Sequence, residues 1–272
     1  MTNNSNDNDN ENVISDQMSL SLFQVAPWND EMRGIPNDYA RSALFTVRNK
    51  RVKRTAILNQ PIYSANKNVT ITYTGVELRA EDDELVWQQV LEFAKRTVFG
   101  EWVEFTFYEL CKEIGWPING NYYAKAEDCL SRLQASAVRF TSNRPGLYKT
   151  DLESISFLDR FRVQNRGDKS KSRCQVKISK DMVNLFIGNH YSRISWLEYR
   201  ELSPIARRMY DYFSTHKEPF PLALDSFKSI CASDVKTLKK WREMTKKACK
   251  ELEESKLVKA IWVDNDYIKC VR

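Results

Sequence analysis

The stretch from Asp225 to Ser255, DSFKSICASDVKTLKKWREMTKKACKELEES, constrains the fold more than any other part of this chain. Leu238, Trp241, Thr245, Ala248 and Leu252 recur at alternating steps of three and four, which puts them on one stripe of a helix and forces that stripe against other chain. At about 100° per residue, Lys236, Lys239, Lys240, Lys246, Lys247 and Lys250 fall on the opposite side, with Glu243 the only interruption. A short helix and a tight turn are expected before it. A cationic ridge on a packed helix entered through a tight turn is suited to a DNA major groove. For a helix on its own the bland reading, a solvated basic face, is the better one, so the rest of the chain decides.

The charge is unevenly spread. The net charge is +6, yet residues 1–38 hold seven acids against Arg33 alone, so they carry −6 and the remainder +12. A basic body behind an acidic start points to an anionic partner, nucleic acid ahead of membrane. No apolar run approaches the length that crosses a bilayer. The start MTNNSNDNDNENVISD has neither the basic residues nor the apolar segment of a secretory signal. The 6 cysteines are scattered without a CxxC pair, which reads as buried thiols in a reducing cytoplasm and offers no zinc-ligand spacing.

Residues 1–16 are Asn- and Asp-rich and are expected to be disordered, with 17–38 extended. Strands are expected at 43–47 and 69–73, then a helix capped by Asp83 with Val86, Trp87, Val90, Leu91, Ala94 and Val98 on one face. A short helix over 106–114, a break at Gly115-Trp116-Pro117 and a longer helix over 121–135 follow, with Tyr123, Ala126, Leu130 and Leu133 inward. Strands at 138–141, 155–163 and 174–178 complete that pass. A second pass repeats the order: a helix opened by Ser203-Pro204, a strand over 219–224, the two helices above, and a hairpin of 257–263 with 267–271 turning at Asp264-Asn265. The expected fold is α+β, two tandem winged-helix domains over 39–179 and 180–272 behind a disordered, then extended, tail of 1–38.

Enzyme chemistry finds little support. The chain has 2 histidines, His190 and His216, and neither a GxxxxGK[ST] nor a GxGxxG loop. Asp82-Asp83-Glu84 is explained by helix capping and the helix dipole. Tyr122-Tyr123 raises a DNA-nicking tyrosine, but no His-x-His cluster accompanies it. No catalytic residue, metal or cofactor is therefore assigned. For DNA, Ser233, Asp234, Lys236 and Thr237 are the candidates at the start of the basic helix, followed by Lys239, Lys240, Arg242, Lys246 and Lys247. On the first long helix the outer candidates are Asn121, Tyr122, Lys125 and Arg132, with Arg144, Tyr148 and Lys149 in a wing. Arg162, Arg166, Lys169, Lys171 and Arg173 form a further basic segment, equally readable as a solvated loop.

Ser19-Leu20-Ser21-Leu22-Phe23 is similar to the bacterial sliding-clamp-binding pentapeptide Gln-Leu-Ser/Asp-Leu-Phe, with Ser19 in place of the glutamine; packing as a strand edge is the alternative. Longer segments carry a family resemblance: Arg33-Gly34-Ile35-Pro36-Asn37, Arg41-Ser42-Ala43-Leu44-Phe45, Tyr73-Thr74-Gly75 with Leu78, Trp87, Tyr212-Phe213-Ser214-Thr215-His216, and the run from Pro219 to Cys231. In that order, from about Ser19 to the C-terminus, the chain resembles the TrfA family of plasmid replication initiators. The resemblance implies binding to repeated origin duplexes (iterons), opening of an adjacent A+T-rich region with single-stranded DNA as a further ligand, and a monomer–dimer balance. It also implies assembly of host DnaA, the DnaB helicase and the sliding clamp in a bacterial cytoplasm. A winged-helix repressor without a replication role is the alternative within DNA binding. A protein adaptor using the basic helix for protein contacts is the alternative outside it.

Overall fold

The computed structural model describes residues 28–97, 100–142, 154–164, 167, 172–179, 181–182, 185–186 and 190–272. Along the chain run β1 (Met32–Pro36), α1 (Asn37–Ala40), β2 (Phe45–Thr46), β3 (Ala56–Ile62), β4 (Val69–Val76), β5 (Leu78–Arg79) and α2 (Asp83–Ala94). Then come β6 (Val103–Thr106), α3 (Phe107–Glu113), α4 (Gly120–Gln134), β7 (Ala137–Ser142), β8 (Ile155–Ser156), β9 (Leu158–Gln164) and β10 (Arg173–Ile178). The second half holds β11 (Tyr191–Ser195), α5 (Trp196–Glu201), α6 (Pro204–Ser214), β12 (Leu222–Ala223), α7 (Leu224–Ile230), α8 (Leu238–Glu254), β13 (Ala260–Asp264) and β14 (Tyr267–Val271).

The same unit occurs twice. β6, α3, α4, β9 and β10 form one, with sheet order β6-β10-β9; β12, α7, α8, β13 and β14 form the other, with sheet order β12-β14-β13. In both, the first strand pairs antiparallel with the last. Helices α3 and α7 also end alike. Trp116 N–H donates to the Cys111 carbonyl and Gly115 N–H to that of Lys112, while Ser233 donates to Lys228 and Ala232 to Ser229. This paired closure needs a left-handed residue; Gly115 supplies it at φ 75° and Ala232, less comfortably, at φ 43°.

Several elements depart from the sequence reading. β7 leaves the first unit and joins a sheet of order β3-β4-β7-β8, because its inward Val138 and Phe140 continue the buried row of Val69, Ile71 and Tyr73 on β4. The expected strand over 155–163 is divided between two sheets, β8 going to that one and β9 to the other. The strand expected over 219–224 shrinks to Leu222–Ala223, since Leu224 already begins α7. The last hairpin turns at Asn265 and Asp266, φ 45° and 62°, one residue later than expected and with the two positive angles of a tight two-residue loop. β1 falls inside the stretch read as an extended tail, yet it is a buried strand paired with β11, from Met32↔Ser195 to Pro36↔Tyr191. Gly34 is required there: a Cβ would lie 2.5 Å from the Trp28 ring that covers the strand.

Helix α2 is buried on nearly every side rather than along one face, because β1, β5, α3 and α4 all pack on it. One hydrophobic cluster runs through both units, from Trp28 and Trp87 to Trp241 and Cys270. All 6 cysteines are buried and unpaired, and burial pushes every thiol up. Among the described residues no helix is long and apolar enough to cross a membrane.

Candidate nucleic-acid interface

Helix α8 is fixed from below. Trp241 is fully buried, its ring 5.5 Å from Phe227, and its indole N–H donates 3.0 Å to the Leu224 carbonyl. Thr245, Ala248 and Leu252 continue the buried stripe against α6 and β13. Thr237 is the N-cap, its hydroxyl accepting from Lys240 N–H at 3.3 Å, a bond that offsets one open donor of the first turn. The link into the helix is longer than the tight turn expected, spanning 231–237. Ser233, Asp234 and Lys236 therefore belong to the link, and helical periodicity does not apply to Lys236.

On the outer side Lys239, Lys240, Lys246, Lys247 and Lys250 are all exposed. Lys240 lies 3.6 Å from Glu243 and Lys250 3.6 Å from Glu254. Lys239, Lys246 and Lys247 make no ion pair among the described residues, and exposed pairs such as the other two contribute little. Arg242 stands apart from them. Its Nε donates 2.6 Å to Asp266 in the β13–β14 turn. That bond holds the Asp266 carboxyl below its usual range and Arg242 above its own. Arg242 therefore ties α8 to the hairpin and is a poor base reader.

The first unit is organised differently. Asn119 caps α4, its side chain accepting from Asn121 and Tyr122 N–H at 3.1 Å each. Asn121, Tyr122, Lys125 and Arg132, expected to face outward, line with Asp128 a cleft of about 430 Å³ closed by Lys50, Arg54, Arg79 and Asp82. Arg132 Nε donates 2.9 Å to Asp83, and Arg54 reaches both Asp82 at 2.7 Å and Asp83 at 2.6 Å. Burial and the adjacent Asp82 push Asp83 up to about 6, whereas Arg54 pulls Asp82 below its usual range against burial. Oxygen and sulfur of Asp82, Asp83 and Cys129 lie within 4.8 Å of one another, a cation-like geometry, but two guanidinium groups already balance the carboxylates. The Lys125 ammonium sits 4.3 Å over the Trp116 ring. Tyr122 packs 5.7 Å from Trp116, and Tyr123 is buried on Phe107. Arg132 is thus held by Asp83 at the cleft, and Lys125 is largely occupied.

Arg144, Tyr148 and Lys149 lie outside the described residues, as do Ser19, Leu20, Ser21, Leu22 and Phe23. The former connect β7 to β8 and so do not belong to the β9–β10 hairpin. The connection of that hairpin is 165–172, which contains Arg166, Lys169 and Lys171. At its ends Arg162 stacks 4.0 Å over Trp102 and Arg173 is exposed.

A basic surface escaped the sequence reading. Between β2 and β3 the chain reads Arg48-Asn49-Lys50-Arg51-Val52-Lys53-Arg54, and Lys50, Arg51 and Lys53 are exposed. Buried Arg79 pins this loop by donating to the carbonyls of Asn49 at 3.3 Å and Val52 at 2.8 Å. The loop root reaches the second unit: Val47 N–H donates 2.7 Å to the Cys231 carbonyl and Arg48 Nε 3.3 Å to that of Ala232. It therefore stands between the cleft beside α4 and the link into α8. The charge run was visible in sequence; its position was not, because it depends on contacts across more than 180 residues.

Comparison with known proteins adds a lineage. The family model described as TrfA protein matches residues 9–272. The plasmid replication initiator protein TrfA of Escherichia coli is 60% identical over 256 residues, covering 94% of this chain and 66% of that protein's length. Two crystal structures of domains 2 and 3 of RctB share the fold. One has a TM-score of 0.57 at 11% identity, over 85% of this chain and 89% of that one. The other has a TM-score of 0.51 at 12% identity, over 78% and 80%.

Proposed function

This chain belongs to the TrfA family, and from that premise we propose that it initiates plasmid replication as a non-enzymatic protein that binds repeated origin duplexes through two tandem winged-helix units. The observation that carries the reading is the rigid α8 with its uncompensated lysines, joined through Val47 and Arg48 to the exposed cations of 50–53. Such a surface suits a duplex: α8 enters the major groove, with Ser233, Asp234 and Lys236 at its entrance, while Lys239, Lys246, Lys247, Lys50, Arg51 and Lys53 neutralise phosphates. The unit order of helix, strand, two helices and hairpin supports the winged-helix assignment, with domains over 39–179 and 180–272. Host DnaA, the DnaB helicase, the sliding clamp through Ser19–Phe23, single-stranded origin DNA and a second copy of the chain are the partners that family membership suggests. A bacterial cytoplasm is the matching compartment.

Selection from a random duplex library across a salt series tests the reading. One repeated motif should emerge, with affinity falling steeply as salt rises. Replacing Lys246 and Lys247 by Gln should weaken binding to all sequences and lower the logarithmic salt slope by about two. An unchanged slope would remove α8 from the interface, and failure to enrich any motif would sink site-specific binding.

A further inference from the structure

We infer that the acidic segment 7–16 of the chain docks on the lysine ridge of α8 and competes there with duplex DNA. The inference rests on α8 being the DNA surface proposed above and adds a regulator to it. Residues 6–12 read Asn-Asp-Asn-Asp-Asn-Glu-Asn, a strict alternation of amide and acid. Alternate side chains of an extended chain share a face, about 6.7 Å apart. Asp7, Asp9 and Glu11 would then form a row of three carboxylates with only amides on the reverse. Asp16 adds a fourth acid, and residues 1–27 contain no Lys, Arg or His.

The ridge has a comparable pitch. At about 1.5 Å of rise per residue, Lys246 and Lys250 are roughly 6 Å apart along α8 and Lys239 and Lys246 roughly 10 Å. The folded body supplies little counter-charge. Glu243 and Glu254 each engage one lysine, while Lys239, Lys246 and Lys247 have no ion pair among the described residues. A row of carboxylates on an extended backbone offers those lysines what a phosphate strand offers.

The linking chain sets the reach. The chain between Asp16 and Trp28, the first described residue, can span up to about 40 Å when extended. A chain of this size packs to a radius of gyration of about 18 Å. Tethering raises the local concentration of the segment to roughly the millimolar range, so even weak docking occupies the ridge. Every duplex that uses the ridge must displace the segment first, so docking lowers affinity for matched and random sequences by the same factor. The acidic segment therefore tempers DNA binding as a whole.

The test uses the full chain and its variant with Asp7→Asn, Asp9→Asn, Glu11→Gln and Asp16→Asn. The neutralised chain should bind a random-sequence duplex about three- to ten-fold more tightly at low salt, with the difference closing as salt screens the contact. Carbodiimide cross-linking of the unaltered chain, mapped by peptide mass, should join those carboxylates to Lys239, Lys246 or Lys247, and excess duplex should suppress the products. Equal affinity of the two chains, or cross-links confined to lysines away from α8, overturns the inference while leaving DNA binding by α8 intact. The reading beneath it fails separately: if replacing Lys246 and Lys247 in the neutralised chain leaves duplex affinity unchanged, α8 is not the DNA surface and there is nothing for the segment to compete with.

Discussion

Arginine and lysine do different work in this molecule. Arg33, Arg41, Arg79, Arg207 and Arg208 each donate to backbone carbonyls and are buried or half-buried, whereas the lysines of α8 are exposed and meet only Glu243 and Glu254 among the described residues. The planar fork of arginine suits several fixed acceptors at once; the strongly hydrated ammonium does not. Counting cations in the sequence therefore overstates what remains for a ligand, as Arg132 and Arg242 illustrate, each already paired with a carboxylate. The most enclosed arginine, Arg208, bonds Glu84 and Asp211 at 2.9 Å each and the carbonyls of Tyr39, Ala40 and Ser42. One guanidinium balances one carboxylate. Burial, with Asp211 beside it, accordingly pushes Glu84 from its usual 4.5 up to about 8, and burial raises Asp211 as well. The folded chain thus holds the Glu84 proton more tightly than the unfolded one. Its contribution to stability is full below about 4.5 and is lost as pH rises through about 8. Glu84→Gln should flatten urea stability against pH across that window, and an unaltered slope would mean that Glu84 is ionised in the fold.

Periodicity made α8 and its buried stripe legible, because a wide apolar face on a long helix has no other solution. It also exposed the repeated helix pair and the last hairpin. Strand partnership was not legible: β7 alternates as well as any strand of the first unit, yet what it pairs with depends on β4, far back in the chain. Turn geometry was half legible. Gly115 announces the left-handed end of α3, but the equivalent end of α7 is filled by alanine, so no local signal marked a link of that length before α8. Ala232 at φ 43° carries a steric cost of about 1–2 kcal/mol that glycine avoids. Ala232→Gly should therefore raise stability by roughly 1 kcal/mol despite the added freedom of the unfolded chain. Equilibrium denaturation would register it, and a loss would show that the Ala232 methyl contributes more in packing than its backbone costs.

At the scale of the molecule the two units are not beads on a string. Trp196 Nε1 and Arg200 both donate to the Glu113 carbonyl at the end of α3, Arg207 reaches the Ala80 carbonyl at 2.6 Å, and Arg208 joins α6 to α2 and to the segment after α1. A boundary near residue 179 suggested by the repeated order of elements says nothing of this seam, whose partners are distant in sequence. Arg208→Met would leave buried Asp211 without its counter-ion and Glu84 without its hydrogen-bond donor, at a cost of roughly 3–5 kcal/mol. Because one hydrophobic cluster spans both units, the variant should still unfold in one transition at lower denaturant, seen alike by fluorescence and circular dichroism. Two separated transitions would show that the units are energetically independent. The burial of all 6 thiols has a practical corollary. A thiol must lose its proton to attack, and every native one is withdrawn from solvent and held protonated. A cysteine substituted for Lys246 would be the single nucleophilic sulfur within reach of a maleimide dye, giving α8 a fluorescent reporter with no need to strip the native cysteines first.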